Sequence, residues 1–183
     1  MAKARTPRQR WIEEGWRLLA SGGPDAVRVE PLAAALDVTK GGFYWQFGDR
    51  RSFLDALLDA WEEAAAEEVI TLVDQHGGDA AQRLTELFGV VSDRGRLQPA
   101  ELAIRLWGRE DPEVGARVHR VDERRLAYLR DLFGEITADP EQVEARSRGL
   151  LATYVAEPLL PPHPDPAVED AVRRAHLALL LRP

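Results

Sequence analysis

The chain contains no cysteine. It therefore forms no disulfide and offers no thiolate to a metal, which is compatible with a reducing compartment. No apolar run approaches the roughly 18 residues that a membrane-spanning helix needs. The N-terminal stretch MAKARTPRQRW is basic but has no apolar segment behind it, so a secretory signal is not expected and a cytoplasmic location is. The four histidines, His76, His119, His163 and His176, lie far apart, and none belongs to an HExxH pair. There is no GxSxG elbow and no GxxxxGK[ST] loop. Neither an enzyme nor a metal or cofactor site is expected. No stretch alternates as a strand would, and no internal repeat is visible.

Charge is not lacking but is unevenly placed. The formal net charge is -7. Residues 1–51 hold nine Lys/Arg against six Asp/Glu, a net of +3, which leaves -10 for the rest. A mildly basic head on an acidic body suits a protein that touches a polyanion with one end. A solvated acidic surface arising by chance gives the same sum.

Apolar residues make up 45% of the 183 residues and charged residues 30%, as in a folded helical chain. The periodicity predicts an all-α protein of about nine helices. The first spans 7–21, with Trp11, Ile12, Gly15, Leu18 and Leu19 on one face, and Gly22-Gly23-Pro24-Asp25 stops it. Short helices follow over 30–36 and 39–47, with Thr39 placed to cap the second. Gly48 ends it and Asp49 can cap the next. One long helix is expected over 50–75, then others over 79–92, 99–109, 112–134, 140–156 and 166–181.

Aromatics are only 7% of the chain, yet four of them fall within residues 43–47, directly after Gly41-Gly42, in the stretch VTKGGFYWQF. On a helical wheel Phe43 and Phe47 share one side and face a core. Gly41, Gly42 and Trp45 fall on the far side, with Lys40 and Tyr44 on a flank. Each glycine costs a helix about 1 kcal/mol relative to alanine. A bare outer face repays that cost if the backbone must approach another surface closely. Thr39, Lys40 and Tyr44 are donors suited to phosphate oxygens, and the amides at a helix N-terminus favour anions. A short helix, a tight turn and a second short helix make a helix-turn-helix. A Gly-Gly turn leading into a strand would need a partner strand, and nothing nearby alternates. An aromatic core plug would leave Tyr44 and Trp45 without a buried place.

The run VRVEPLAAALDVTKGGFYWQFGDRRSFLDALLDAW resembles the DNA-binding head of the TetR (tetracycline-repressor-like) family of bacterial regulators, over residues 7 to about 61. The stretch ELAIRLWGREDPEVGARVHRVDERRLAYLRDLF resembles bodies of that family less specifically. The resemblance implies a three-helix DNA-binding domain in residues 1–50 and a helical ligand-binding and dimerisation domain in residues 51–183. It implies a homodimeric transcriptional regulator, most simply a repressor that a small molecule releases from a pseudo-palindromic double-stranded operator. The alternative is a helical interaction module with a degenerate head.

Carried over by residue, Thr39, Lys40 and Tyr44 would contact phosphates, with Trp45 at the backbone or groove and Gly41 and Gly42 permitting close approach. Arg50 or Arg51 would hold a phosphate, and Arg5, Arg8 and Arg10 could reach an adjacent groove or the backbone. Two departures stand out. Val27 and Arg28 occupy the place of a capping Ser or Thr, where Arg28 can still meet a phosphate. Asp37 replaces the usual turn glycine, and aspartate tolerates the left-handed conformation better than most residues.

In the body, Leu102, Leu106, Trp107, His119, Tyr128 and Tyr154 are candidates for a ligand pocket, with core packing as the plainer role for each. The last two helices are the expected dimer seam, through Val143, Leu150, Leu151, Tyr154, Val172, Leu177 and Leu180. ALALLL near the C-terminus is apolar nearly all round, which a monomer would struggle to bury; the alternative is burial against the chain's own helix over 50–75, and both can hold on different faces.

Overall fold

A computed structural model describes residues 6–92, 97–161 and 163–182. The described residues form helices and connections, without strands. The helices are α1 (Arg8–Ala26), α2 (Val29–Ala35), α3 (Lys40–Phe47), α4 (Arg50–Glu62), α5 (Glu68–His76), α6 (Ala80–Ser92), α7 (Leu97–Glu110), α8 (Pro112–Ile136), α9 (Pro140–Ala156) and α10 (Pro166–Leu180). A π-helical turn, Glu63–Glu67, joins α4 to α5. Among the described residues no helix is long and apolar enough to cross a membrane.

The chain packs into two compact units. The first comprises Met1–Ala65 and Arg96–His119, the second Ala66–Gly95 and Arg120–Pro183. The first unit extends past the functional boundary expected at residue 50, for a reason visible in its core. Phe53, Leu57 and Trp61 of α4 are fully buried, and α1 packs on both α4 and α7. A Cβ on Gly15 of α1 would lie 2.6 Å from Leu57 Cδ2 and 2.8 Å from Phe53 Cζ. The absent side chain therefore lets α1 and α4 approach closely.

Local chemistry sets most helix ends. α1 breaks at Gly22 and Gly23, and Gly23 has φ 67, a conformation that costs glycine little. Pro24 then opens a last turn to Ala26. Three later helices begin with an Asp-Pro pair. Asp111 Oδ1 accepts from the Glu113 amide at 2.9 Å. Asp139 Oδ1 accepts from Glu141 at 2.9 Å, and Asp165 Oδ1 from Ala167 at 2.9 Å. Each carboxylate satisfies an amide that the helix leaves open, and each proline sits where it has no amide to lose.

The expected single helix over 50–75 is corrected. The π turn interrupts it, and the unit boundary between Ala65 and Ala66 lies within that turn. Ala64, Ala65 and Ala66 are all buried there, so side-chain bulk is least where the backbone is wound most loosely. On either side an arginine of α8 fixes the chain. Arg117 pairs with Asp59 and Glu62 in the first unit. Arg124 Nε pairs with Glu67 at 2.8 Å in the second.

The core of the second unit gathers Val69, Val73, Leu84, Leu132, Phe133, Leu150 and Leu177. A polar network runs beside it. Tyr128 donates to Asp74 at 2.7 Å, and burial followed by that bond pushes the phenol well above its ordinary range. Arg83 meets Glu135 and, at 3.9 Å, Asp74.

Candidate nucleic-acid interface

α3 is anchored from beneath by aromatics. Phe43 is fully buried and Phe47 nearly so. Phe43 meets Trp11 edge-on with centroids 5.7 Å apart and Phe53 at 5.2 Å. Phe47 meets Phe53 at 4.6 Å. Such pairs contribute roughly 0.5–1.5 kcal/mol each beyond the area they bury. The helix is thus held as a rigid rod by one face, and whatever stands on the opposite face is presented in a fixed orientation.

That opposite face is as the wheel predicts. Trp45 is 65% and Tyr44 51% exposed. Thr39, Lys40, Gly41 and Gly42 are exposed beside them. A Cβ on Gly41 would find only Thr39 Oγ1 at 3.8 Å, and one on Gly42 only Trp11 Cζ2 at 3.8 Å. These are ordinary contacts, and neither glycine has a positive φ. Nothing among the described residues obliges either position to be glycine. Two glycines that packing does not require thus stand beside a large exposed indole on one face of a pinned helix.

The turn that aims α3 depends on Asp37, which adopts φ 52. Its amide donates to Ala34 O at 3.2 Å, and that of Val38 to Ala33 O at 2.9 Å, which closes α2 before α3 begins. Aspartate therefore serves where glycine is usual, as its tolerance of this region allows. Asp49 caps α4, accepting from the Ser52 amide at 2.8 Å. Thr39 is corrected. It stands at the capping position of α3, but its side chain makes no capping bond. Arg28 is exposed at the start of α2 without capping it, and Val27 is fully buried.

Arg50 is engaged within the fold. Its Nε donates to Val27 O at 2.7 Å and its Nη2 to Pro24 O at 2.5 Å, so it holds the α1–α2 turn. Arg51 is exposed. Sequence periodicity could not separate these neighbours, because the acceptors for Arg50 lie more than 20 residues away. At the other edge, Gln46 Nε2 donates to Thr6 O at 2.7 Å, and the Arg8 guanidinium lies 4.6 Å from the Phe47 ring centre. Gln46 was not among the expected site residues, yet it ties the N-terminal segment to α3. Arg10 is exposed, and Arg5 lies outside the described residues.

The six pocket candidates do not fall in one unit. Leu102, Leu106, Trp107 and His119 belong to the first, Tyr128 and Tyr154 to the second. Leu106 and His119 are exposed. Leu102 and Trp107 are half-buried. Tyr128 serves the Asp74 network, and the Arg125 guanidinium lies 5.1 Å from the Tyr154 ring centre. The dimer candidates also divide. Leu177, 6% exposed, and Leu150 are buried in the core of their own unit, which leaves them little surface to offer a second chain. Val143, Leu151 and Leu180 pack at the edge of that core, and Tyr154 is half-buried. Val172, 58% exposed, stands clear of it, as do Val168 and Leu179 on the same helix.

A family model described as "Bacterial regulatory proteins, tetR family" matches residues 12–57, the stretch that builds this surface. No curated protein matches the chain. Among solved structures, a transcriptional regulator from Rhodococcus sp. Rha1 is similar with a TM-score of 0.69 at 18% identity, covering 96% of each chain. PfmR of Thermus thermophilus, a TetR family transcriptional regulator, gives 0.65 at 21% identity over 94% of this chain and 97% of its own. FadR of Bacillus subtilis, a transcriptional regulator in complex with stearoyl-CoA, gives 0.63 at 16% identity over 96% and 98%. At these identities the likeness is one of fold. The stretch that builds this surface thus matches the tetR family model over residues 12–57, and the all-helical fold of these regulators is shared along nearly the whole chain.

Proposed function

We propose that the protein is a ligand-responsive transcriptional repressor that binds a pseudo-palindromic operator as a homodimer. Residues 1–50, with Arg51 at their edge, carry the DNA contacts, and residues 51–183 the effector site and the dimer seam. The observation that carries the reading is the outer face of α3: bare backbone at Gly41 and Gly42, flanked by exposed Thr39, Lys40, Tyr44 and Trp45, on a helix pinned from behind by Phe43 and Phe47. A helix of this length fits the major groove with its flanking donors on phosphates. Arg28 and Arg51, both exposed, extend the basic rim. Arg50 contributes by holding the turn that aims it.

The family and the fold shared with an acyl-CoA complex support a small-molecule effector in the body. Such a ligand acts only through its differential affinity for the DNA-bound and released shapes. The exposed Val168, Val172 and Leu179 stripe on α10 supports a second copy of the chain as partner. The protein acts in the cytoplasm and performs no catalysis.

The test is selection of randomised duplex DNA by the purified protein at low salt, followed by sequencing of what is retained. Two inverted half-sites are expected. A folded, dimeric protein that enriches nothing would refute the reading. Tyr44→Phe combined with Lys40→Ala should weaken binding to every duplex alike while leaving the helical content unchanged, because phosphate contacts carry no sequence information.

A further inference from the structure

The ammonium of Lys40 is already occupied. Its Nζ lies 2.6 Å from Glu30 Oε1. The pair joins the first turn of α2 to the first residue of α3, ten positions apart. Both side chains are more than half exposed, 54% for Lys40 and 62% for Glu30. The hydrogen bond from Lys40 draws the Glu30 carboxyl below its ordinary range, and the bond to Glu30 raises the Lys40 ammonium above its own. Arg28 adds positive charge near the same carboxylate.

We propose that Glu30 competes with DNA phosphate for Lys40 and thereby sets both the affinity and the salt dependence of DNA contact. The inference rests on the DNA-binding reading of α3. An ion pair this exposed is weak and exchanges readily. When Lys40 turns to a phosphate, Glu30 is left as an unpaired carboxylate beside a polyanion. A cation from solution must then meet its charge. That uptake cancels much of the cation release that otherwise drives a lysine onto a phosphate. The Lys40 contact is therefore made, but it yields less affinity and a shallower salt response than a lysine without a carboxylate neighbour.

The experiment uses the full chain as wild type, Glu30→Gln, Lys40→Met and the double variant. Binding to a fluorescent mixed-sequence duplex of about 40 base pairs is followed by anisotropy from roughly 50 to 200 mM salt, a range over which phosphate contacts respond strongly. Glutamine keeps the size of Glu30 without its charge. Glu30→Gln should bind about three- to tenfold tighter at the lowest salt, and its log–log salt slope should steepen by about 1 per head. In the Lys40→Met background the same change should leave affinity and slope as they are. An equal gain in that background would mean plain repulsion and overturn the competition. An unchanged or weaker Glu30→Gln would overturn it too, the latter by showing that Glu30 organises the lysine. Failure of wild type and Glu30→Gln alike to bind at the lowest salt would instead refute the DNA-binding reading itself.

Discussion

Replacing Gly41 and Gly42 together with alanine should make the protein more stable and a worse DNA binder. The two effects share one structural cause. A Cβ at either position meets a single neighbour at 3.8 Å, so neither methyl group clashes and neither fills a gap. What remains is helix propensity, about 0.5–1 kcal/mol per site. Both positions lie in the first turn of α3, where the lower figure applies, so the pair should add about 1 kcal/mol. For a chain of this size that raises the midpoint of thermal unfolding by roughly 2–4 °C. On the DNA side, the added carbons stand between the backbone and the groove. On the proposed reading they would push the flanking donors at Lys40 and Tyr44 beyond hydrogen-bonding distance of phosphate. Losing even one charge-assisted bond per head, about 1.5–3 kcal/mol, weakens binding at least tenfold. Gly89→Ala is the control, since that glycine of α6 is exposed and a Cβ there meets nothing within 4 Å. It should stabilise without touching DNA affinity. Calorimetry and anisotropy on the same preparations decide the matter. A double variant that is less stable, or that binds the selected duplex as tightly as wild type, refutes the argument that these glycines serve an external surface.

Three further outcomes are expected. Gly115→Ala should destabilise the protein by about 1–3 kcal/mol, because its Cβ would lie 2.6 Å from the Gly108 carbonyl oxygen where α7 and α8 cross; chemical denaturation measures it, and an unchanged midpoint would refute that contact. Val172→Glu with Leu179→Glu should yield a folded monomer by sedimentation, whereas Leu177→Glu should lower helical content by circular dichroism, since only Leu177 is in the core. Glu144 is held to about 2, first by its bond to Arg130 and then by Arg148. A carboxylate with a lowered folded pKa stabilises above its unfolded value near 4.5, and that contribution fades as pH falls toward 2. Arg130→Gln should move the Glu144 titration upward when followed by carbon-detected NMR.

The order of the helices, apart from the division of the stretch over 50–75, and the orientation of α3 were legible in the sequence because each depends on neighbours a few residues away, and the left-handed Asp37 followed from the resemblance. Phe43 and Phe47 read as buried from their spacing alone, and Trp45 as exposed. The π turn was not legible, since EAAAE continues a helical pattern without a breaker. The place of Leu177 was hidden for the opposite reason. ALALLL is apolar all round, so spacing could not tell the face that meets its own core from the face that Val172 and Leu179 leave open. Arg50 read as a phosphate ligand, and Glu30 carried no reading of its own. Their partners, Pro24 and Val27 for one and Lys40 for the other, are set by how the chain turns between α1, α2 and α3. Such pairings across a turn have no period to detect.

The three Asp-Pro starts bear on the order of events during folding. At Asp111, Asp139 and Asp165 the capping bond spans two residues, so each can form before any distant helix arrives. Nucleation is the costly step for an isolated helix, and these sites lower it at the N-termini of α8, α9 and α10. The chain then searches for its fold with short rods whose first turns are already set, not with free coil. Helical chains rich in such local contacts collapse in microseconds to milliseconds. A stopped-flow trace of Asp139→Ala should refold more slowly, with the change carried by the folding limb.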